Sequence, residues 1–273
     1  MANKTPRKPS ATITSIDPNV KFRVEESYKA IRTNLVFSIM KRGCKKIVFS
    51  SSFPNEGKTT TAINVAITLA AADNKVLLID ADLRKPKVHH YFSFSNAPGL
   101  TNYLGGVIDK NKKADIFSIV HTTDHENLSV ICSGSIPPNP AEILASEQMA
   151  DFFDDIESDY DYIILDTPPI NIVSDALPLA KISDGVVIVI RSNSSTYPEL
   201  DKTIASLEFI GAKILGFVVN FTEHGDKKYR GKYSYRYRYG GKYSRYGRYG
   251  GSYGYGSSYG ANSYGGYGNY GGY

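Results

Sequence analysis

Six strand-sized segments recur along the first 220 residues: "KIVFSS" (46–51), "KVLLID" (75–80), "LSVIC" (128–132), "YIILD" (162–166), "GVVIVI" (185–190) and "ILGFVVN" (214–220). Nearly unbroken apolar runs of this length are what a strand covered on both faces presents. Stretches of helical length separate them, near 58–72, 140–157, 172–182 and 197–211. Strand and helix in alternation predict an α/β fold with a doubly wound, mostly parallel sheet. In such sheets ligands gather at the carboxyl ends of the strands. Residues just beyond those ends are therefore the ones to interrogate.

The first strand runs into "SSFPNEGKTTT" (51–61) and then into a helix beginning near Lys58. Glycine-lysine-threonine between a strand and a helix is the second half of a phosphate-binding loop, G-x-x-x-x-G-K-[ST]. Ser52 stands where the first glycine of that pattern belongs. Gly57 lets backbone approach phosphate, Lys58 supplies charge to the β and γ oxygens, and the Thr59 hydroxyl is placed to ligate magnesium. The helix adds its N-terminal dipole. Asn55, Glu56, Gly57, Lys58, Thr59 and Thr60 are accordingly expected to line a nucleotide.

Three carboxylates sharpen this. "VLLIDADLRKP" closes a strand with Asp80 and Asp82, two residues apart and on one face if the strand persists that far. "YIILDTPP" closes another with Asp166, and Pro168 and Pro169 then stop regular structure. Three acids beside a phosphate loop crowd like charges, a situation relieved by magnesium shared with nucleotide oxygens. Arg84 either meets phosphate or pairs with a nearby acid. His89, His90, His121, His125 and His224 form no metal set, and His121 and His125 are expected in an exposed turn.

Charge and composition divide the chain. Residues 227–273 hold 15 of the 21 tyrosines, 14 of the 24 glycines, nine Lys or Arg and no acid. Residues 1–226 carry 23 basic against 27 acidic side chains, so the net +5 belongs to the tail and not to a nucleic-acid-binding face of the domain. The tail lacks aliphatic residues and periodicity and is expected to be disordered. As a random coil its 47 residues span roughly 35–40 Å r.m.s.. Residues 1–19 are expected to form a mobile arm, followed by a domain over 20–226. From Val24, apolar residues Tyr28, Ile31, Leu35 and Ile39 recur at helical spacing. Cys44 and Cys132, far apart, are expected to be buried or idle thiols. No run reaches the ~20 apolar residues of a membrane span, and "MANKTPRKPS" has no signal-peptide core. A cytoplasmic protein is expected.

The loop, the "LLIDADLRKP" segment and "IILDTPP", together with "SGSIPPNPAEIL" (133–144) and "ESYKAIRTN" (26–34), resemble the bacterial protein-tyrosine kinases, the BY-kinases, over roughly Val24 to Asn220. The resemblance implies a P-loop NTPase-type domain that uses ATP and Mg2+ to phosphorylate its own tail. By the same resemblance Asp80 receives the acceptor's proton, Asp82 and Asp166 hold magnesium with Thr59, and Lys58 steadies the transferred group. The acceptors it implies are Tyr229, Tyr233, Tyr235, Tyr237, Tyr239, Tyr243, Tyr246, Tyr249, Tyr253, Tyr255, Tyr259, Tyr264, Tyr267, Tyr270 and Tyr273. It further implies a homo-oligomeric ring, a separate membrane activator with a cytoplasmic tail, a cognate tyrosine phosphatase, and control of capsule or exopolysaccharide synthesis at the inner face of the membrane. Asn220 either contacts the base, as in related nucleotide-binding proteins, or makes a buried hydrogen bond. Glu26, Lys29 and Arg32 form either a solvated salt-bridged stripe or the subunit contact the resemblance implies.

Two departures from the family pattern stand out. Asn55 replaces a usual glycine and is the best non-glycine choice if positive φ is needed; Lys29 replaces a usual arginine and loses its fork. Two rival readings remain. A partitioning or cell-division ATPase on the same fold generally carries a lysine five residues before the loop lysine, where this chain has Phe53. A passive scaffold, binding single-stranded nucleic acid through Arg236, Arg238, Arg245, Arg248 and their tyrosine neighbours, leaves the three aspartates unexplained.

Overall fold

The computed structural model describes residues 18–105 and 116–222. Nearly all of the expected arm, residues 1–17, and the whole tyrosine-rich tail, 227–273, lie outside the described residues. The chain divides after Thr222, and the first unit holds every described residue.

Seven strands make one sheet in the order β3-β4-β2-β5-β1-β6-β7. These are β1 (Lys45–Ser51), β2 (Val76–Asp80), β3 (Val120–Thr122), β4 (Leu128–Ile131), β5 (Tyr162–Asp166), β6 (Gly185–Arg191) and β7 (Ile214–Asn220). All neighbours are parallel except β3 and β4. The run Ile47–Phe49 is wholly buried because both faces are covered, and alternate residues go to opposite sides. Ile47 and Phe49 join a layer with α1 (Pro18–Ser38), α2 (Lys58–Ala70) and α3 (Val88–Phe92). Val48 faces the other layer, formed with α4 (Leu100–Leu104), α5 (Pro140–Leu144), α6 (Glu147–Ile156), α7 (Ala176–Ile182) and α8 (Tyr197–Phe209). The doubly wound architecture expected from the alternation is what forms.

Three details differ from the sequence pattern. The first helix begins at Pro18, inside the stretch expected as an arm, because nothing between Pro18 and Val24 breaks a helix. A short antiparallel edge strand, β3, takes His121, whose ring stacks on Phe94 at 4.7 Å instead of lying in a turn. The region after Asp82 holds two five-residue helices, α3 and α4, too short for periodicity to reveal. Both cysteines are buried free thiols, as expected. No described helix is long and apolar enough to cross a membrane.

Candidate active site

Strand β1 lies between β5 and β6, so the loop leaving it rises directly beside the carboxyl end of β5. Asp166 ends β5, Asp80 ends β2, and the two are partners in register across adjacent strands. Parallel neighbours lie ~4.8 Å apart, so the fold forces two carboxylates side by side. Neither is accessible to solvent. Burial first, and then the Asp166 charge, push the Asp80 carboxyl up to about 7. Burial also raises Asp166, outweighing the pull of Lys58.

Asp80 is held by the backbone around it. Its Oδ2 accepts the N–H groups of Lys87 and Val88, both at 2.9 Å, and its Oδ1 accepts that of Asp82 at 3.2 Å. The strand stops at Asp80, so Asp82 reaches the site through a turn and not through strand alternation.

Lys58, the first residue of α2, draws the remaining groups together. Its ammonium donates to Asp82 Oδ2 at 3.0 Å, Asp166 Oδ1 at 3.3 Å and Thr59 Oγ1 at 3.4 Å. Burial opposes the lysine's charge, but Asp166 and Asp82 outweigh it and raise its pKa above the ordinary value. The three side chains expected to hold magnesium therefore surround one point, which the ammonium fills. Asp166 Oδ2 is buried with no hydrogen-bond partner. A buried anionic oxygen with unused lone pairs, next to a carboxylate and a hydroxyl, fits a hard divalent cation that completes its shell with phosphate oxygens. Asp82, Asp166 and Thr59 would hold it.

The loop geometry follows from residue type. Asn55 has φ 66° and Gly57 φ 91°, so the asparagine does adopt the left-handed conformation. A Cβ on Gly57 would lie 2.5 Å from Asn220 Nδ2. Asn220 stands at the end of β7 and donates to the Glu56 carbonyl and to Thr61 Oγ1, both at 3.0 Å. Ser52 serves where glycine was expected because its φ is not positive; its hydroxyl shares a 2.8 Å hydrogen bond with Thr203 of α8. Glu56 is buried, its carboxylate accepting from the Phe53 N–H at 2.8 Å and from the Ser195 hydroxyl. Gly57→Ala combines a disfavoured φ with a side-chain collision, and strain at such sites costs about 1–3 kcal/mol. Nucleotide affinity should fall about tenfold or more in a fluorescent-ADP titration, while the melting temperature drops by only a few degrees.

A family model described as an AAA domain matches residues 44–214. The tyrosine-protein kinase YwqD of Bacillus subtilis is 40% identical over 209 residues, covering 76% of this chain and 86% of its own. The putative tyrosine-protein kinase CapB of Staphylococcus aureus is 37% identical over 200 residues, covering 73% of this chain and 85% of its own. Among solved structures, the kinase domain of the Escherichia coli tyrosine kinase ETK superposes with a TM-score of 0.66 at 32% identity, over 73% of this chain and 77% of that one. The chain belongs to the bacterial tyrosine-protein kinase family. A plasmid partition protein and cell-division and septum-site proteins also match, at 21–24% identity and TM-scores of 0.52–0.53, which speaks for the shared fold alone.

Within this BY-kinase domain the peripheral residues take more local partners. Arg84 makes a forked pair with Asp175, at 2.6 and 3.0 Å, so of its two expected roles the structure displays the pairing with an acid. Asn220 is likewise engaged with the loop. Thr60 shares a 2.8 Å hydrogen bond with the Tyr91 hydroxyl. On α1, Lys29 pairs with Glu26 at 2.8 Å in the open, and Arg32 donates to the Thr68 carbonyl of α2 at 2.9 Å. Asp175, Ser195, Thr203 and Tyr91 carry no local sequence signal. They sit far along the chain from their partners, and only folding reveals them.

Proposed function

We propose that this protein is an ATP-dependent tyrosine autokinase that phosphorylates tyrosines in its own residues 227–273, in trans within a homo-oligomer. The observation that carries the reading is the convergence of Lys58, Thr59, Asp82 and Asp166 on one point beside Asp80, in a chain of the BY-kinase family. Phosphoryl transfer asks chiefly for positioning and charge stabilisation, which these residues are arranged to supply.

The loop amides from Asn55 to Thr60 cradle the triphosphate, and Lys58 leaves the carboxylates to neutralise the γ-phosphoryl group. Asp82, Asp166 and Thr59 would hold a magnesium ion, which would supply positive charge against the phosphates. A free tyrosine has a pKa near ~10, so the acceptor arrives neutral and orients toward Asp80. In the loose transition state little deprotonation is needed early, and Asp80 takes the proton late. Its pKa of about 7 suits a group that must accept a proton and give it up again.

Tail phosphorylation would convert +9 to very roughly −13 to −21. That reversal would repel the tail from neighbouring tails and from the acidic domain, dispersing the oligomer. We assign Glu26, Lys29 and Arg32 of α1 to the subunit contact, with a membrane activator recruiting the enzyme and a tyrosine phosphatase resetting it. Capsule or exopolysaccharide synthesis is the process under control. The test is incubation of the full chain with ATP and Mg2+, with and without an activator's cytoplasmic tail, followed by phosphopeptide mapping. Phosphate in residues 227–273 is expected; ATP turnover with an unmodified tail in both settings overturns the reading.

A further inference from the structure

Tyr91 is a folded-domain tyrosine whose hydroxyl rests directly on the phosphate-binding helix. It sits on α3, which begins at the two amides that Asp80 holds. The residue is 54% exposed, and its hydroxyl meets Thr60 Oγ1, at the third residue of α2, at 2.8 Å. Thr60 follows Lys58 and Thr59 in the first turn, where unpaired amides and the helix dipole favour a bound anion. By contrast Tyr28, on α1, is partly buried and has its pKa raised by that burial. Tyr91 thus pairs two properties: it is open to an approaching enzyme, and it touches the cradle.

We propose that Tyr91 is a second phosphoacceptor, modified by another copy of the chain, and that its phosphate closes the nucleotide site of the copy that bears it. The inference rests on the kinase reading above. In the step, Tyr91 Oη attacks the γ-phosphorus of ATP held by the donor copy. The new Oη–P bond forms as the bond from phosphorus to the β–γ bridging oxygen breaks. ADP leaves with that electron pair, and the phenolic proton passes to the Asp80 carboxylate of the donor copy.

The product adds about −1.5 to −2 charges beside Thr60. Local anions and the triphosphate then compete for the same helix N-terminus and repel one another. Modification at Tyr91 places the new charge beside Thr60 and so acts on nucleotide occupancy itself. The kinase would limit its own turnover once donor copies are abundant.

The full chain is incubated with ATP and Mg2+, and the tryptic peptide 88–110 is fragmented to separate Tyr91 from Tyr103. Fluorescent ADP is then titrated before and after treatment with a tyrosine phosphatase, for wild type and Tyr91→Phe. Phosphate on Tyr91 is expected, with phosphatase tightening wild-type affinity about tenfold or more and changing Tyr91→Phe less than twofold. A phosphorylated tail with unmodified Tyr91 overturns this inference and leaves the kinase reading standing. Equal phosphatase responses in the two proteins also overturn it. Absence of phosphate everywhere removes both.

Discussion

Lys58→Met should lower tail phosphorylation about a thousandfold, because it removes the cation that meets charge on the transferred group. The structure adds a second effect. The ammonium is nearly enclosed and bonded to Asp82 and Asp166, so its loss leaves buried carboxylates without their partner. Breaking such a pair destabilises by about 3–5 kcal/mol, moderated here as the acids take up protons. The variant should therefore melt earlier without ligand and recover part of the difference at high Mg2+. Phosphopeptide yield against time, alongside circular dichroism to confirm folding, separates lost chemistry from lost structure. A methionine variant that modifies the tail within tenfold of wild type would sink the role assigned to Lys58.

Asp80→Asn is expected to keep nucleotide within about threefold while transfer falls about 10²–10⁴-fold, the range for a removed proton acceptor. An amide offers one carbonyl oxygen where the carboxylate receives three backbone N–H groups, so the turn from Asp82 to Val88 should loosen without the loop losing its shape. The pH response has a defined sign. A carboxyl at about 7 in the folded chain, against ~3.9 for an unfolded aspartate, binds its proton more tightly when folded. Its contribution to stability is fully present below about pH 4 and is lost as pH rises through 7. The melting temperature of the ligand-free wild type should thus fall between pH 5 and pH 8 by more than that of Asp80→Asn. Equal slopes would mean that Asp80 is not held in this state.

The scaffold was legible because its strands are buried on both faces and announce themselves as apolar runs. The loop was legible because Gly57 and Asn55 are tied to one conformation by their φ values. Asp80 and Asp166 could be placed at strand ends from sequence, but not paired. Their registry depends on β5 lying between β2 and β1, a matter of topology. The clamps on the loop were invisible for a different reason. Glu56 with Ser195, and Asn220 with Glu56 and Thr61, join residues over a hundred positions apart. A polar side chain gives no hint of which distant partner it will meet. Arg84 shows the same limit: its sequence context admits phosphate or acid equally, and the buried Asp175 appears only in three dimensions.

While the Lys58 ammonium rests between Asp82 and Asp166, the cradle is electrically sealed. Free triphosphate would pull the lysine toward itself and strand two facing anions beneath. Bare metal would have to evict a resident cation of like sign. The chelate of the two trades places with the ammonium in a single exchange, leaving no charge unmatched. Such an interlock would make the domain a coincidence detector, favouring nucleotide and metal together over either one alone.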